Sequence, residues 1–301
     1  MSTGKNHILF QAYGNKEILA ECRLALLQLL KYHDTKEIIL VLYTDDPGYF
    51  SKELAAFHNK IIEVVMPELI AKWRGNIDFV HRVKVEILAD FFSKHSGNLL
   101  YCDTDTYCLR SLQPVFQQIE NNALYMHTNE GLISDAGNTV MKKWHRFLTT
   151  HQPEITGIKA VAIPAMAMWN AGVIGIHSNK AHLLKQVLTL TDTLYPLFPK
   201  HTVEQFAFSY VFQQHAAVMA AEDFIFHYWD LKEYREWLRR FYEINQELPL
   251  AELERRIQAY LPGPMMQDKL GYKKLPFFKK VFTKKWGINH YLAKRLNDTS
   301  A

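Results

Sequence analysis

Cysteine is scarce in this chain: three residues, Cys22, Cys102 and Cys108, in 301. That is too few and too scattered for a disulfide framework or a zinc site. All three sit among apolar neighbours and are expected to be reduced core residues. A long apolar segment is also missing. The opening residues, MSTGKNHILFQAYG, contain no signal-peptide core. The longest stretch without a formal charge, Ala160 to Asn179, includes Pro164, Asn170, two glycines and His177. It reads as strand and loop rather than a membrane span. Internal repeats and low-complexity segments are absent as well. Together these absences predict a cytoplasmic protein in a reducing compartment.

What is present is an ordinary globular composition, 48% hydrophobic and 22% charged, in a chain long enough for one large or two modest domains. The net charge of +4 is unevenly spread. Residues 262–301 carry nine Lys/Arg and two Asp, so the tail is strongly basic and the body mildly acidic. That asymmetry points to a separate task for the tail.

Periodicity predicts alternating strands and helices. His7–Tyr13, Glu37–Tyr43 and Lys60–Met66 read as strands, separated by helices over Glu17–Tyr32 and Tyr49–His58. A helix over Phe79–Phe92 leads into a fourth strand beginning near Asn98. Leu112–Ile119 reads as a helix, Ala123–His127 as a strand and Lys142–Thr150 as a helix. Met168–His177 is expected as one strand, followed by a helix from Asn179 capped by Ser178 or Asn179. Helices over Val203–Gln213, Leu231–Tyr242 and Leu248–Tyr260 flank a strand at Phe224–Tyr228. Pro262-Gly263-Pro264 is expected to end the last of these helices. The order is that of a doubly wound α/β sheet.

The fourth strand organises the rest. Asn98–Leu112, NLLYCDTDTYCLRSL, is a buried apolar run that ends in Asp103 and Asp105. In an open α/β sheet, ligands bind outside the carboxyl ends of strands. Two carboxylates converging there repel unless a cation joins them, and Mg²⁺ or Mn²⁺ with a substrate phosphate suits such oxygen ligands. A strand running into a polar turn would read the same way.

Three segments extend the pattern: YCDTDTYCLRSLQPVF, then WNAGVIGIH, then VEQFAFSYVF followed by FHYWDLK. In that order they resemble the GT-A glycosyltransferases, in particular the family-eight type of bacterial galactosyl- and glucosyltransferases and glycogenins. The resemblance spans roughly residues 7 to 232. It implies a GT-A fold, a Rossmann-like doubly wound mixed sheet flanked by helices, with a helical C-terminal extension. The implied domains are a nucleotide-sugar-binding catalytic domain at 1–230, C-terminal helices at 231–262 and a basic aromatic tail at 263–301. The implied function is metal-dependent transfer of a hexose from a nucleoside diphosphate sugar, UDP-linked, to a glycan or glycolipid acceptor.

The resemblance also implies roles. Asp103, Asp105 and His227 would hold a divalent cation, Mn²⁺ or Mg²⁺, and Asp103 would also contact the ribose. Ala12, Tyr13 and Gly14 would take the base, although the family's usual Asp shortly after that strand is missing. Lys84 or Arg82 would contact the donor; both also fit a solvated helix face. Lys232 would reach the diphosphate, in a segment that lacks the family's Pro-Trp. Asn170 would hydrogen-bond the transferred sugar, Gln205 would lie on its reactive face, and Glu204 would serve as base or acceptor contact. Where the family has Asp-Gln-Asp, this chain has Glu204-Gln205-Phe206, one carboxylate short.

The tail, residues 269–295, interleaves lysine pairs with aromatics. It fits an anionic membrane surface at the inner face of a membrane, or a basic helix docked on the acidic body; no nucleic-acid motif accompanies it. Two rival functions fit the same sequence features. One is a non-catalytic sugar-nucleotide binder. The other is a haloacid-dehalogenase-type phosphatase, whose Asp-x-Asp normally ends the first strand.

Overall fold

The structure is a computed structural model and describes residues 5–135, 138–151, 166–283, 286–289 and 291–292. Eleven strands occur among these residues: β1 Asn6–Ala12, β2 Ile39–Thr44, β3 Lys60–Val64, β4 Asn98–Cys102, β5 Thr106–Cys108, β6 Leu124–Met126, β7 Asn129–Leu132, β8 Ala167–Trp169, β9 Val173–His177, β10 Val218–Ala220 and β11 Ile225–His227. Seven of them form one sheet in the order β10-β6-β9-β4-β1-β2-β3. Its pairings are parallel except those of β9, which runs antiparallel to both β4 and β6. The sheet is mixed, as expected. Two small antiparallel pairs, β5 with β11 and β7 with β8, stand beside it.

The central strands are apolar on both faces because helices cover both. In β4, Leu99 and Tyr101 face one core while Leu100 and Cys102 face the other. The helices are α1 Lys16–Tyr32, α2 Ser51–Ala56, α3 Pro67–Arg74, α4 Arg82–Lys94, α5 Gln113–Glu120, α6 Thr139–His151, α7 Leu183–Leu197, α8 Val203–His215, α9 Glu233–Ile244, α10 Leu250–Gln258, α11 Pro262–Lys274 and α12 Phe277–Phe282. The core containing Leu99 is closed by α4, α6, α7 and α8; the one containing Leu100 by α1, α2 and α5. The second face of α1 supplies Ala20, Leu24 and Leu27 to a third apolar cluster with α9, α10 and α11. So α1 lies between the sheet and the C-terminal helices. All three cysteines are free and buried.

Three expectations change. Met168–His177 is two strands, broken at Asn170-Ala171-Gly172, where Gly172 turns its carbonyl to the Asp103 N–H at 2.8 Å. Residues Ser178–Lys180 form a 3₁₀ turn, and α7 starts at Leu183 without a side-chain cap. Pro262-Gly263-Pro264 opens α11 instead of only closing the helix before it. Proline suits the first helical turn, where its missing N–H has no partner to lose. The start of α11 is held by Met265 and Met266, buried in the third cluster.

Candidate active site

β4 delivers the site. After Cys102 the chain leaves the sheet, and Thr106 Oγ1 donates to the Asp103 carbonyl at 2.7 Å, closing a turn that presents Asp103 and Asp105. β5 then pairs with β11 so that Thr106 lies opposite His227. That pairing, not proximity in sequence, carries His227 to the carboxylates. One ligand atom from each of Asp103, Asp105 and His227 falls within 4.8 Å of the others. Two carboxylate oxygens and an imidazole nitrogen suit Mn²⁺ or Mg²⁺.

Asp103 accepts from Tyr101 OH at 2.5 Å and lies 3.2 Å from Lys84 Nζ. Lys84, on the first turn of α4, is buried, so it is not part of a solvated face. Its Nζ donates to the Ala171 carbonyl at 2.9 Å and lies 3.3 Å from Glu204 Oε1. Burial works against its charge, but Asp103 and Glu204 outweigh that and hold its pKa above the usual range. Burial pushes Glu204 the other way, up to about 7, with Lys84 opposing.

Asp105 is 8% exposed. Its Oδ1 lies 3.0 Å from His227 Nε2, and its Oδ2 accepts from Arg235 at 3.1 Å. Burial favours its neutral form, yet His227 and then Arg235 overcome this and hold the carboxyl at about 2. Arg235 also donates to Glu21 Oε1 at 2.8 Å. Glu21, on α1, is buried, and that burial lifts its carboxyl to about 8.

A pocket of about 290 Å³ opens over these groups, lined by Tyr13, Val80, His81, Lys84, Asp103, Asp105 and Arg235 among others. Tyr13 therefore stands at the pocket, half-buried, its hydroxyl pushed up to about 12 by burial. Ala12 is fully buried in β1. Gly14 has φ of +84°, which glycine adopts without strain, and its N–H donates to Asp45 Oδ2 at 2.8 Å. Asp45, just after β2, thus sets a carboxylate beside the end of the first strand.

Some expected residues lie elsewhere. Arg82 is tied to Asp192, Glu86 and the Trp73 carbonyl, and so braces α4 against α7. Lys232 is exposed just ahead of α9. Arg235, about one turn further on, is the basic residue of this segment that reaches Asp105. Phe206 is fully buried and stacks on Trp144 at 4.2 Å, so that position belongs to the core.

On the far side of the site, Glu130 of β7 joins two expected residues. Its Oε2 accepts from Gln205 Nε2 at 2.8 Å and its Oε1 from Asn170 Nδ2 at 3.0 Å. Glu130 and Arg235 carry no motif in the sequence. The indole of Trp229, 44% exposed, lies 5.1 Å from the His227 ring.

No protein-family model matches this chain, and no curated protein matches it. Solved structures do. The glycosyltransferase GlyE of Streptococcus pneumoniae superposes with a TM-score of 0.51 at 12% identity, over 86% of this chain and 64% of GlyE. This chain has a GT-A fold. Mouse xyloside xylosyltransferase 1 gives a TM-score of 0.48 at 12% identity, over 72% of this chain and 84% of that one. Core-mannan synthase A of Aspergillus fumigatus, solved in a Mn/GDP form, gives 0.47 at 11% identity, over 74% of each. The pocket lies where β1 and β4 end, the carboxyl edge at which open α/β sheets bind ligands. The Asp103-Thr104-Asp105 turn follows the fourth strand in chain order, not the first.

Proposed function

We propose that this protein is a metal-dependent glycosyltransferase that moves a hexose from a UDP-linked sugar to a hydroxyl of a glycan or glycolipid. The observation that carries this reading is the convergence of Asp103, Asp105 and His227, with both carboxylates lining a pocket whose other charged lining groups, Lys84 and Arg235, are cationic. A bound divalent cation would neutralise the leaving diphosphate as the glycosidic bond breaks. The chain's own residues do the rest. Tyr13 and Val80 offer apolar walls to the base. Lys84 fixes the Asp103 carboxylate, and Arg235 supplies positive charge from the opposite side. Gln205 and Glu130, hydrogen-bonded to each other, would meet the sugar's reactive face. The exposed indole of Trp229 borders His227 and offers the acceptor saccharide a flat apolar platform.

The tail divides in this reading. Lys269 and Lys273 are spent on Asp230 and Glu233 of the body. Phe277, Phe278, Val281 and Phe282 of α12 remain 61–88% exposed, beside Lys279 and Lys280. That face suits an anionic membrane surface, which would bring the enzyme to a lipid-linked acceptor. Among the described residues, no helix is long and apolar enough to cross a membrane. Residues 284–285, 290 and 293–295 of the tail lie outside the described set.

A transferase without acceptor hydrolyses its donor slowly. With Mn²⁺, release of nucleoside diphosphate from at least one UDP-sugar is expected. Asp105→Asn should lower it by roughly 100-fold or more, as loss of a preorganised electrostatic contact does. Equal turnover by wild type and variant would contradict the assignment.

A further inference from the structure

The amide of Asn170 is already committed. Its Oδ1 accepts from the Gly172 N–H at 2.9 Å, which fixes the amide with oxygen toward the glycine, and its Nδ2 donates to Glu130. The same Oδ1 lies 3.0 Å from His227 Nδ1. Because that oxygen only accepts, Nδ1 holds a proton toward it, and Nε2, 3.0 Å from the Asp105 carboxylate, is the nitrogen that would give up its proton to face an ion. Gly172 completes the seat. A Cβ there would lie 2.3 Å from His227 Cε1 and 2.4 Å from Nδ1, so the ring packs directly on bare backbone. Asn170 itself is held by its backbone, whose N–H and C=O bond to Thr128 and His127.

We propose that Asn170 is a positioning residue for the metal ligand His227, and that Gln205, Glu130, Asn170 and His227 form one hydrogen-bonded chain linking the sugar face of the site to the metal. This rests on the metal reading above and revises the role that family resemblance gives Asn170, a direct contact to the sugar. Glu130 is the keystone of the chain. It accepts from both amides, so it sets the orientation of each. Outer-shell partners of ligating histidines commonly govern metal affinity by 10–100-fold.

The test uses the full chain with Mn²⁺ alone, free ion being counted by electron paramagnetic resonance. Asn170→Ala should weaken Mn²⁺ binding about 10–100-fold. The paired change Asn170→Asp with Glu130→Gln reverses donor and acceptor across that bond while leaving an acceptor at His227 Nδ1 and at Gln205. It should recover most of the affinity, which a merely structural role for Asn170 would not predict. Asn170→Ser replaces the alanine variant if thermal melts show that the latter does not fold. Wild-type Mn²⁺ affinity in Asn170→Ala, accompanied by a raised donor KM, would overturn the proposal and return Asn170 to the sugar. A wild-type protein that takes up no Mn²⁺, with or without inorganic pyrophosphate, would instead overturn the metal reading on which the proposal stands.

Discussion

Glu204 shows how one buried side chain couples the site to stability. It is 3% exposed, its charge is opposed by Lys84, and its pKa rises to about 7. A carboxyl whose folded pKa exceeds its unfolded value near 4.5 binds its proton more tightly in the native state. Its contribution to stability is therefore whole below about pH 4.5 and is lost as pH rises through 7. Glu204→Gln removes that loss. In metal-free protein, denaturant titrations from pH 5 to 8 should show wild-type stability declining more steeply than the variant's, by about 1–3 kcal/mol over the range. Parallel pH profiles would contradict this. Arg235 and Glu130 mark the limit of residue-level reading. Arg235 lies within KEYREWLRR, whose charges read as a solvated face, yet it follows buried Tyr234 and lies three residues before buried Leu238. Glu130 lies on a polar four-residue strand without periodicity. Neither belongs to a motif; only the folded chain brings them to Asp105 and Asn170.

At the scale of elements, legibility followed burial. β2 and β4 are covered on both faces and appear in the sequence as unbroken apolar runs. α4 shows helical spacing because it buries one face, whereas α1, expected to bury one face, is packed on two sides and buried throughout Leu19–Leu29. The three-residue strands β5 and β10 are too short for any period to register. The break in Met168–His177 was hidden because the turn at Asn170-Ala171-Gly172 is itself buried, serving Asp103 and His227 rather than the surface. α8 sets two site residues directly before a core residue: Glu204 meets Lys84 and Gln205 meets Glu130, while Phe206 stacks on Trp144. The carboxylate absent from that position therefore reflects a packing demand. Phe206→Ala should destabilise the protein by about 3–5 kcal/mol in urea unfolding and leave the Mn²⁺ affinity of the folded protein unchanged. A loss below about 1 kcal/mol would mean that the stack does not anchor α8.

At the scale of the whole molecule, the basic tail is two things. The α11 segment is part of the body, bound through Met265, Met266 and its lysines. α12 offers aromatics and lysines to the outside. The account predicts that the full chain sediments with vesicles of phosphatidylglycerol and phosphatidylcholine, that 0.5 M salt weakens this by screening, and that Phe277→Ser with Phe278→Ser and Phe282→Ser abolishes it while donor hydrolysis persists. Undiminished sedimentation of the triple variant would remove the membrane from the account. The sheet, α1 and the C-terminal helices hold the pocket between them, so the central claim is that one site takes a metal and a nucleoside diphosphate together. Ligands that bind only the native state raise its melting temperature. The deciding measurement is a thermal-shift panel of sugar nucleotides with and without Mn²⁺. At least one UDP-sugar should raise the melting temperature only when Mn²⁺ is present, and Asp105→Ala should erase that rise. A panel in which no sugar nucleotide shifts the wild type, or in which Asp105→Ala keeps the full shift, would contradict it.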